Sequence, residues 1–225
     1  MKKNLVPSLF ALALTASLLP LAAHAQLRIT EVESAESSGG LALPTADWWE
    51  LSNLGASSVN LTGYRMDDSS ASFALSVALA GITSIAPGES VVFFEVSGGT
   101  PLTVQGFRNW WGPSLGASVQ IGTYSGSGVG LSASADQVNL FDSSGTPIDG
   151  VSFATATTGT TFEFGDGAIG RSPTGLSQNG INGAFTSANN DIGSPGVVPE
   201  PSTLTLAGCG LAGLFGLRRF KKRQS

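Results

Sequence analysis

The chemistry open to this chain is that of carboxylates. Fifteen of its sixteen Asp and Glu residues fall between positions 26 and 198. The only histidine, His24, lies in an apolar N-terminal stretch, and the only cysteine, Cys209, in an apolar C-terminal one. The body therefore offers no Ser-His-Asp or Cys-His arrangement and no common zinc site. No glycine-rich phosphate loop carries a lysine. Two acids flanking a glycosidic bond could still hydrolyse it, although none of the fifteen sits in a hydrolase motif. Asp67-Asp68-Ser69-Ser70, Asp142-Ser143-Ser144-Gly145 and Asn189-Asn190-Asp191 supply oxygen ligands of the kind Ca²⁺ accepts. The same residue types are ordinary turn formers, and none has calcium-loop spacing. Trp110 and Trp111 are the candidate platforms for stacking on a sugar ring, with core filling as the competing role.

Short apolar runs, separated by Gly, Ser, Asn and Pro about every ten residues, must position these groups. That pattern predicts an all-β sandwich or barrel. Strands are expected at Leu27–Val32, Asp47–Leu51, Val59–Asp67 with a turn or bulge, Ser90–Val96, Asp136–Asp142 and Pro147–Phe153. Phe73–Leu75, Ser118–Gly122, Thr160–Phe164 and Ala168–Arg171 are weaker strand segments. Val104–Trp111 reads as a short helix stopped by Gly112 and Pro113. Residues 175–195 are poor in apolar side chains and are expected to trace the surface. On a strand, Trp48 and Trp49 point to opposite faces, one to the core and the other a candidate for exposure, with core filling as the competing role. Glu31 and Glu50 are either edge or Arg-paired structural charges, with Arg28 and Arg65 as partners, or members of a carboxylate site.

The order of these segments resembles the lamin tail domain family. Ile29-Thr30-Glu31-Val32, Trp48-Trp49-Glu50-Leu51, Leu61-Thr62-Gly63-Tyr64 and Pro87-Gly88-Glu89 follow its first strands and turn. Asp136-Gln137-Val138-Asn139-Leu140 and Val151-Ser152-Phe153 follow its last hairpin, and the match runs roughly from Gln26 to Pro195. The insert Phe107–Gly112 departs from the plain family pattern. The resemblance implies an immunoglobulin-like β-sandwich acting as an extracellular binding or structural module.

Both termini carry addresses. Lys2 and Lys3 precede an apolar run, and Ala23-His24-Ala25 fits the small-x-small rule for cleavage before Gln26. Residues 1–25 therefore read as a signal peptide, 26–196 as the domain and 197–225 as a sorting tail. In the tail, Pro199-Glu200-Pro201 has an extended backbone imposed by its two prolines. Residues 203–217 carry no charge and would span about 22 Å as a helix, against a hydrocarbon core of ~30 Å. Arg218, Arg219, Lys221, Lys222 and Arg223 then form a basic stop on the cytoplasmic side. This tail resembles that of the PEP-CTERM proteins. The resemblance implies export, processing near Pro199-Glu200-Pro201 by exosortase, and association with exopolysaccharide or biofilm matrix.

With both ends set aside, four arginines and no lysine face fifteen acids, leaving about eleven negative charges. Such a body repels phosphate backbones, which excludes nucleic acid as a partner. It has no cysteine and so no internal disulfide. The expectation is a non-enzymatic exported protein, held transiently by its tail helix in the membrane and then displayed at the surface or in the matrix. Its role would be adhesion or matrix interaction, with polysaccharide as a candidate partner. A secreted carboxylate-dependent glycan hydrolase and a purely structural matrix protein are the alternatives.

Overall fold

The computed structural model describes residues 27–37, 44–98 and 101–198. Its strands in chain order are β1 (Leu27–Glu33), β2 (Trp48–Asn53), β3 (Val59–Asn60), β4 (Arg65–Asp67), β5 (Val77–Ala78), β6 (Ser84–Ile85) and β7 (Ser90–Glu95). After the α-helix α1 (Val104–Trp111) come β8 (Ile121–Tyr124), β9 (Asp136–Phe141), β10 (Pro147–Phe153), β11 (Phe162–Glu163), β12 (Gly175–Leu176), β13 (Phe185–Thr186) and β14 (Ile192–Gly193). The large sheet runs β12-β11-β1-β2-β7-β8, and a smaller one runs β10-β9-β4-β5. Every pairing is antiparallel except β7 with β8. Two short pairs, β3–β6 and β13–β14, complete the fold.

Alternation assigns the two faces of the large sheet. Trp49 and Leu51 of β2 and Val91 and Phe93 of β7 turn inward. They meet Met66, Val138, Leu140 and Val151 from the smaller sheet, and this is the sandwich core. Trp48 of β2 and Val92 and Phe94 of β7 turn to the opposite face. There α1 lays Phe107, Trp110 and Trp111 over them. Trp48 meets Trp111 edge-on at 5.3 Å between ring centres, and Phe94 stacks on Phe107 at 5.7 Å. The large sheet is thus covered on both sides, so Trp48 and Trp49 are both fully buried. The two rings do point to opposite faces, but neither is exposed, because α1 supplies a second core over Trp48.

The helix keeps the bounds read from sequence. The Thr103 hydroxyl caps it by accepting from Gly106 N at 2.9 Å, and Gly112 ends it at φ 72°. Other elements differ. Val59–Asp67 is two strands in separate sheets, with Gly63 at φ 80° between them. Phe73–Leu75 forms a turn whose Phe73 ring packs on Phe141. The edge strand expected at 118–122 is β8, shifted to 121–124. Arg171 makes only an isolated bridge, to Val151.

Residues 175–195 do run largely along the surface, with 178–183 exposed, but they also form β12 to β14 and bury Ser187, Asn189, Asp191 and Ser194 over the outer face. Small residues make that approach feasible. A Cβ on Gly193 would lie 2.8 Å from Glu31 Oε1, Thr161 Cγ2 and Trp111 Cη2. Gly193→Ala therefore has no room to relax and is expected to cost about 1–3 kcal/mol, read as a lowered denaturant midpoint.

Candidate functional site

A bulge organises the polar half of the outer face. The β1–β2 register shifts between Ile29 and Glu31. Glu31 then stands opposite Glu50 of β2 on one side and opposite Glu163 of β11 on the other. Three glutamates form one row across three neighbouring strands, on the same face as Trp48 and Phe94.

Each carboxylate in the row accepts from a later part of the chain. Glu31 Oε1 takes the Thr161 hydroxyl at 2.5 Å and Ser194 N at 2.7 Å. Glu50 Oε1 takes the Thr30 hydroxyl at 2.6 Å, and its Oε2 takes Gly196 N at 2.6 Å. Glu163 accepts from the Ser177 hydroxyl at 3.1 Å and from the Asn182 amide at 3.0 Å. Glu31 and Glu50 are buried central-strand residues. They are neither edge charges nor partners of Arg28 and Arg65. Arg28 faces Asp149 at 3.7 Å and Asp166 at 3.9 Å, and Arg65 donates to the Ser76 hydroxyl at 2.8 Å. Burial pushes the Glu31 carboxyl up to about 7, against a usual 4.5. Burial, reinforced by the charge of Glu31, holds Glu50 well above the usual carboxylate range.

A second acidic group adjoins the first. Glu33 accepts from the Trp48 indole N–H at 2.5 Å, and burial with Asp191 nearby raises its carboxyl well above 4.5. Asp191 accepts from the Trp110 indole N–H and, at 2.5 Å, from Ser37 N. Glu36 and Asp47 share a hydrogen bond, and burial plus the Glu36 charge lifts Asp47 to about 8. Among the described residues, no group of three or more His, Cys, Asp or Glu side chains is arranged to hold a metal ion. The three sequence segments with calcium-type oxygens serve as turns and ties instead. Asp67 accepts from Ser72 N at 2.7 Å, and Asp142 from Ser144 N at 2.8 Å and Thr146 N at 2.9 Å.

A cleft opens onto the glutamate row at Glu50 and Glu163. It has a volume of about 690 Å³ and is lined by Thr30, Glu50, Glu163, Thr174, Asn182 and Ser194. Val197 and Val198 form its rim, where the described chain ends. Trp110 and Trp111 are absent from it. They are 0% and 1% exposed: Trp110 meets Phe107 edge-on, and Trp111 meets Trp48 and, from β13, Phe185 edge-on. Stacking on a sugar needs an open ring face, so the core role replaces the platform role for both.

Sequence reasoning singled out Glu31 and Glu50 but missed Glu163, Asn182 and the Ser194–Gly196 backbone. The alternation Phe162-Glu163-Phe164, with both rings buried, is the signal that would have set Glu163 on the outer face. Ala23, Ala25 and Gln26, the motif Pro199-Glu200-Pro201, the apolar run 203–217 and the basic cluster Arg218 to Arg223 all lie outside the described residues. Among the described residues, no helix is long and apolar enough to cross a membrane.

A search of curated proteins returns no match. A PEP-CTERM protein-sorting motif matches residues 197–221, and this supports an exported, exosortase-sorted surface protein. The Lamin Tail Domain matches residues 20–155, ending after β10. The all-β architecture and its two packed sheets agree with that match, which takes in more than half of the chain: the chain belongs to the Lamin Tail Domain family.

Proposed function

We propose that this exported protein is a non-catalytic surface or matrix module that binds polysaccharide through the cleft beside its C-terminal exit. The observation that carries this reading is the cleft's lining. Thr30, Thr174, Asn182, Glu163 and Ser194 present hydroxyl, amide and carboxylate groups together in one concavity. Sugar hydroxyls both donate and accept, and such a mixed set matches them. About eleven net negative charges on the body disfavour an anionic polymer, so the expected ligand is a neutral or amino-bearing glycan.

The hydrolase alternative has its own support. Glu50 and Glu163 line the same concavity, two strand spacings or roughly 10 Å apart. Against it, both oxygens of each carboxylate already accept from the protein's own donors. An acid so engaged is poorly placed to activate water.

Glycan-array binding by the host-trimmed protein tests the reading. Retention of neutral or amino-sugar polymers, weakened about tenfold or more by Asn182→Ala, is the expected result. Absence of binding leaves the structural-matrix role. Release of reducing ends, abolished by Glu163→Gln, would establish the hydrolase instead.

A further inference from the structure

The stem that joins the domain to its sorting motif is not a free linker. Residues 192–198 cross the glutamate row: Ile192 is tied by backbone bonds to Gly159 and Thr161, and beyond it the chain is held by acids. Ser194 N donates to Glu31 at 2.7 Å, and Gly196 N donates to Glu50 at 2.6 Å. Pro199 begins three residues beyond Gly196, a reach of at most about 10 Å. The uncharged run starts at Thr203, at most about 25 Å from the same anchor.

The anchor has no positive charge behind it. Glu31 and Glu50 sit about one strand spacing, roughly 5 Å, apart. The other ionisable groups facing them are also acids, Glu163 from β11 and Glu33 from β1. The stem offers only the neutral Ser194 and Gly196, β7 offers Ser90, and the residue just after β12 is Ser177. Arg28 and Arg171 are held by Asp149, Arg65 by Ser76, and Arg108 by the carbonyls of Gly116 and Val119.

We propose that Glu31 and Glu50 form a proton-dependent clasp on residues 192–198, and that the clasp sets how far the sorting motif stands from the domain. With a proton on the pair, one carboxyl and one carboxylate coexist and the stem lies closed across them. When both ionise, two buried negative charges face each other with no cation to compensate. Water relieves them at lowest cost where the cover is thinnest. That cover is the stem from Ser194 onward, which lies beyond the β13–β14 pair and the backbone bonds of Ile192 to Gly159 and Thr161. Lifting it lengthens the tether between domain and motif, giving a membrane-embedded processing enzyme more room. Only this last consequence rests on the sorting reading; the clasp itself does not.

Hydrogen exchange read by mass spectrometry, on the protein isolated from its host, tests the clasp. The peptide covering 192–198 is expected to lose about tenfold or more of its protection between roughly pH 5.5 and pH 8.5, after correction for intrinsic rates. The β7 peptide keeps its protection over the same range. The E31Q/E50Q double variant, which cannot ionise at either position, is expected to stay protected at both pH values. Equal protection of the wild-type stem at both pH values overturns the proposal, and needs no variant that folds. So does loss of protection in E31Q/E50Q in step with the wild type. The masses of the two mature termini report separately on sorting, so failure of that reading would leave the exchange result standing.

Discussion

Replacing Arg171 by alanine lowers the stability of the domain by about 3 kcal/mol or more. The β1 bulge skips Thr30, and β11 pairs only with Glu31 and Val32, so beside the bulge an ion pair takes up the backbone of Ile29. Ile29 N donates to Asp149 Oδ2 at 2.7 Å, while Arg171 donates to Ile29 O at 2.7 Å. Arg171 also grips both oxygens of Asp149, at 2.6 and 3.0 Å, and donates to Gly165 O at 2.6 Å. The pair joins β1 of the large sheet to β10 of the smaller one and to the loop that follows β11. The Asp149 side chain is fully buried, and without Arg171 its nearest cation is Arg28 at 3.7 Å, which is beyond hydrogen-bond range. Arg171→Lys keeps a charge but loses the fork, and should fall between alanine and wild type. Denaturant unfolding of the three proteins measures this. A variant R171A within 1 kcal/mol of wild type would show that the ion pair contributes only what a surface pair does. Adding Asp149→Val should recover only part of the loss, because it leaves Ile29 N without an acceptor.

The parts of this architecture that local pattern controls are legible in the sequence. Val91 and Phe93 alternate with Val92 and Phe94, and the run reads at once as a strand buried on both faces. Thr103 and Gly112 bracket α1 by their own backbone preferences. What escapes is set by distant partners. The segment from Gly175 to Pro195 has the composition of a surface loop. Much of it is exposed, but at its end Gly193 presses against Trp111 and Glu31. Nothing local distinguishes the two cases, because glycine and serine suit both open turns and close approach. The glutamates illustrate the same point. Glu31 and Glu50 stand out in sequence as acids on apolar strands. Their partners Thr161, Ser194 and Gly196 lie about 130 to 165 residues from them, so no spacing rule connects them. Trp110 and Trp111 were ambiguous for a related reason: a short amphipathic helix has an apolar face whether a sheet or a ligand covers it.

The melting temperature of this domain should fall as pH rises from about 4.5 to about 8, the reverse of ordinary acid denaturation. The sign follows from the direction of the shifts. Glu31, Glu33, Glu36, Asp47 and Glu50 are all raised, each chiefly by burial. A raised carboxyl keeps its proton in the folded state after the unfolded chain has lost it. The folded state then binds more protons, and increasing pH favours unfolding until the folded group also ionises. For Glu31 that window runs from 4.5 to about 7, and for Asp47 from 3.8 to about 8. Glu31 alone, 1% exposed, corresponds to about 3 kcal/mol across its window, or roughly 10 °C for a domain of this size. Asp142 is shifted the other way, but it is fully exposed and its turn bonds are local. Calorimetry at several pH values reads the slope, and Glu31→Gln should flatten it between about pH 5 and pH 7. A melting temperature that climbs from pH 4.5 to 8 would mean the buried acids ionise freely in the folded protein, by way of water or a cation brought to them. A domain of this behaviour is most stable where acidic surroundings keep its carboxyls protonated, and the seam that loosens first on neutralisation is the one beneath the C-terminal stem.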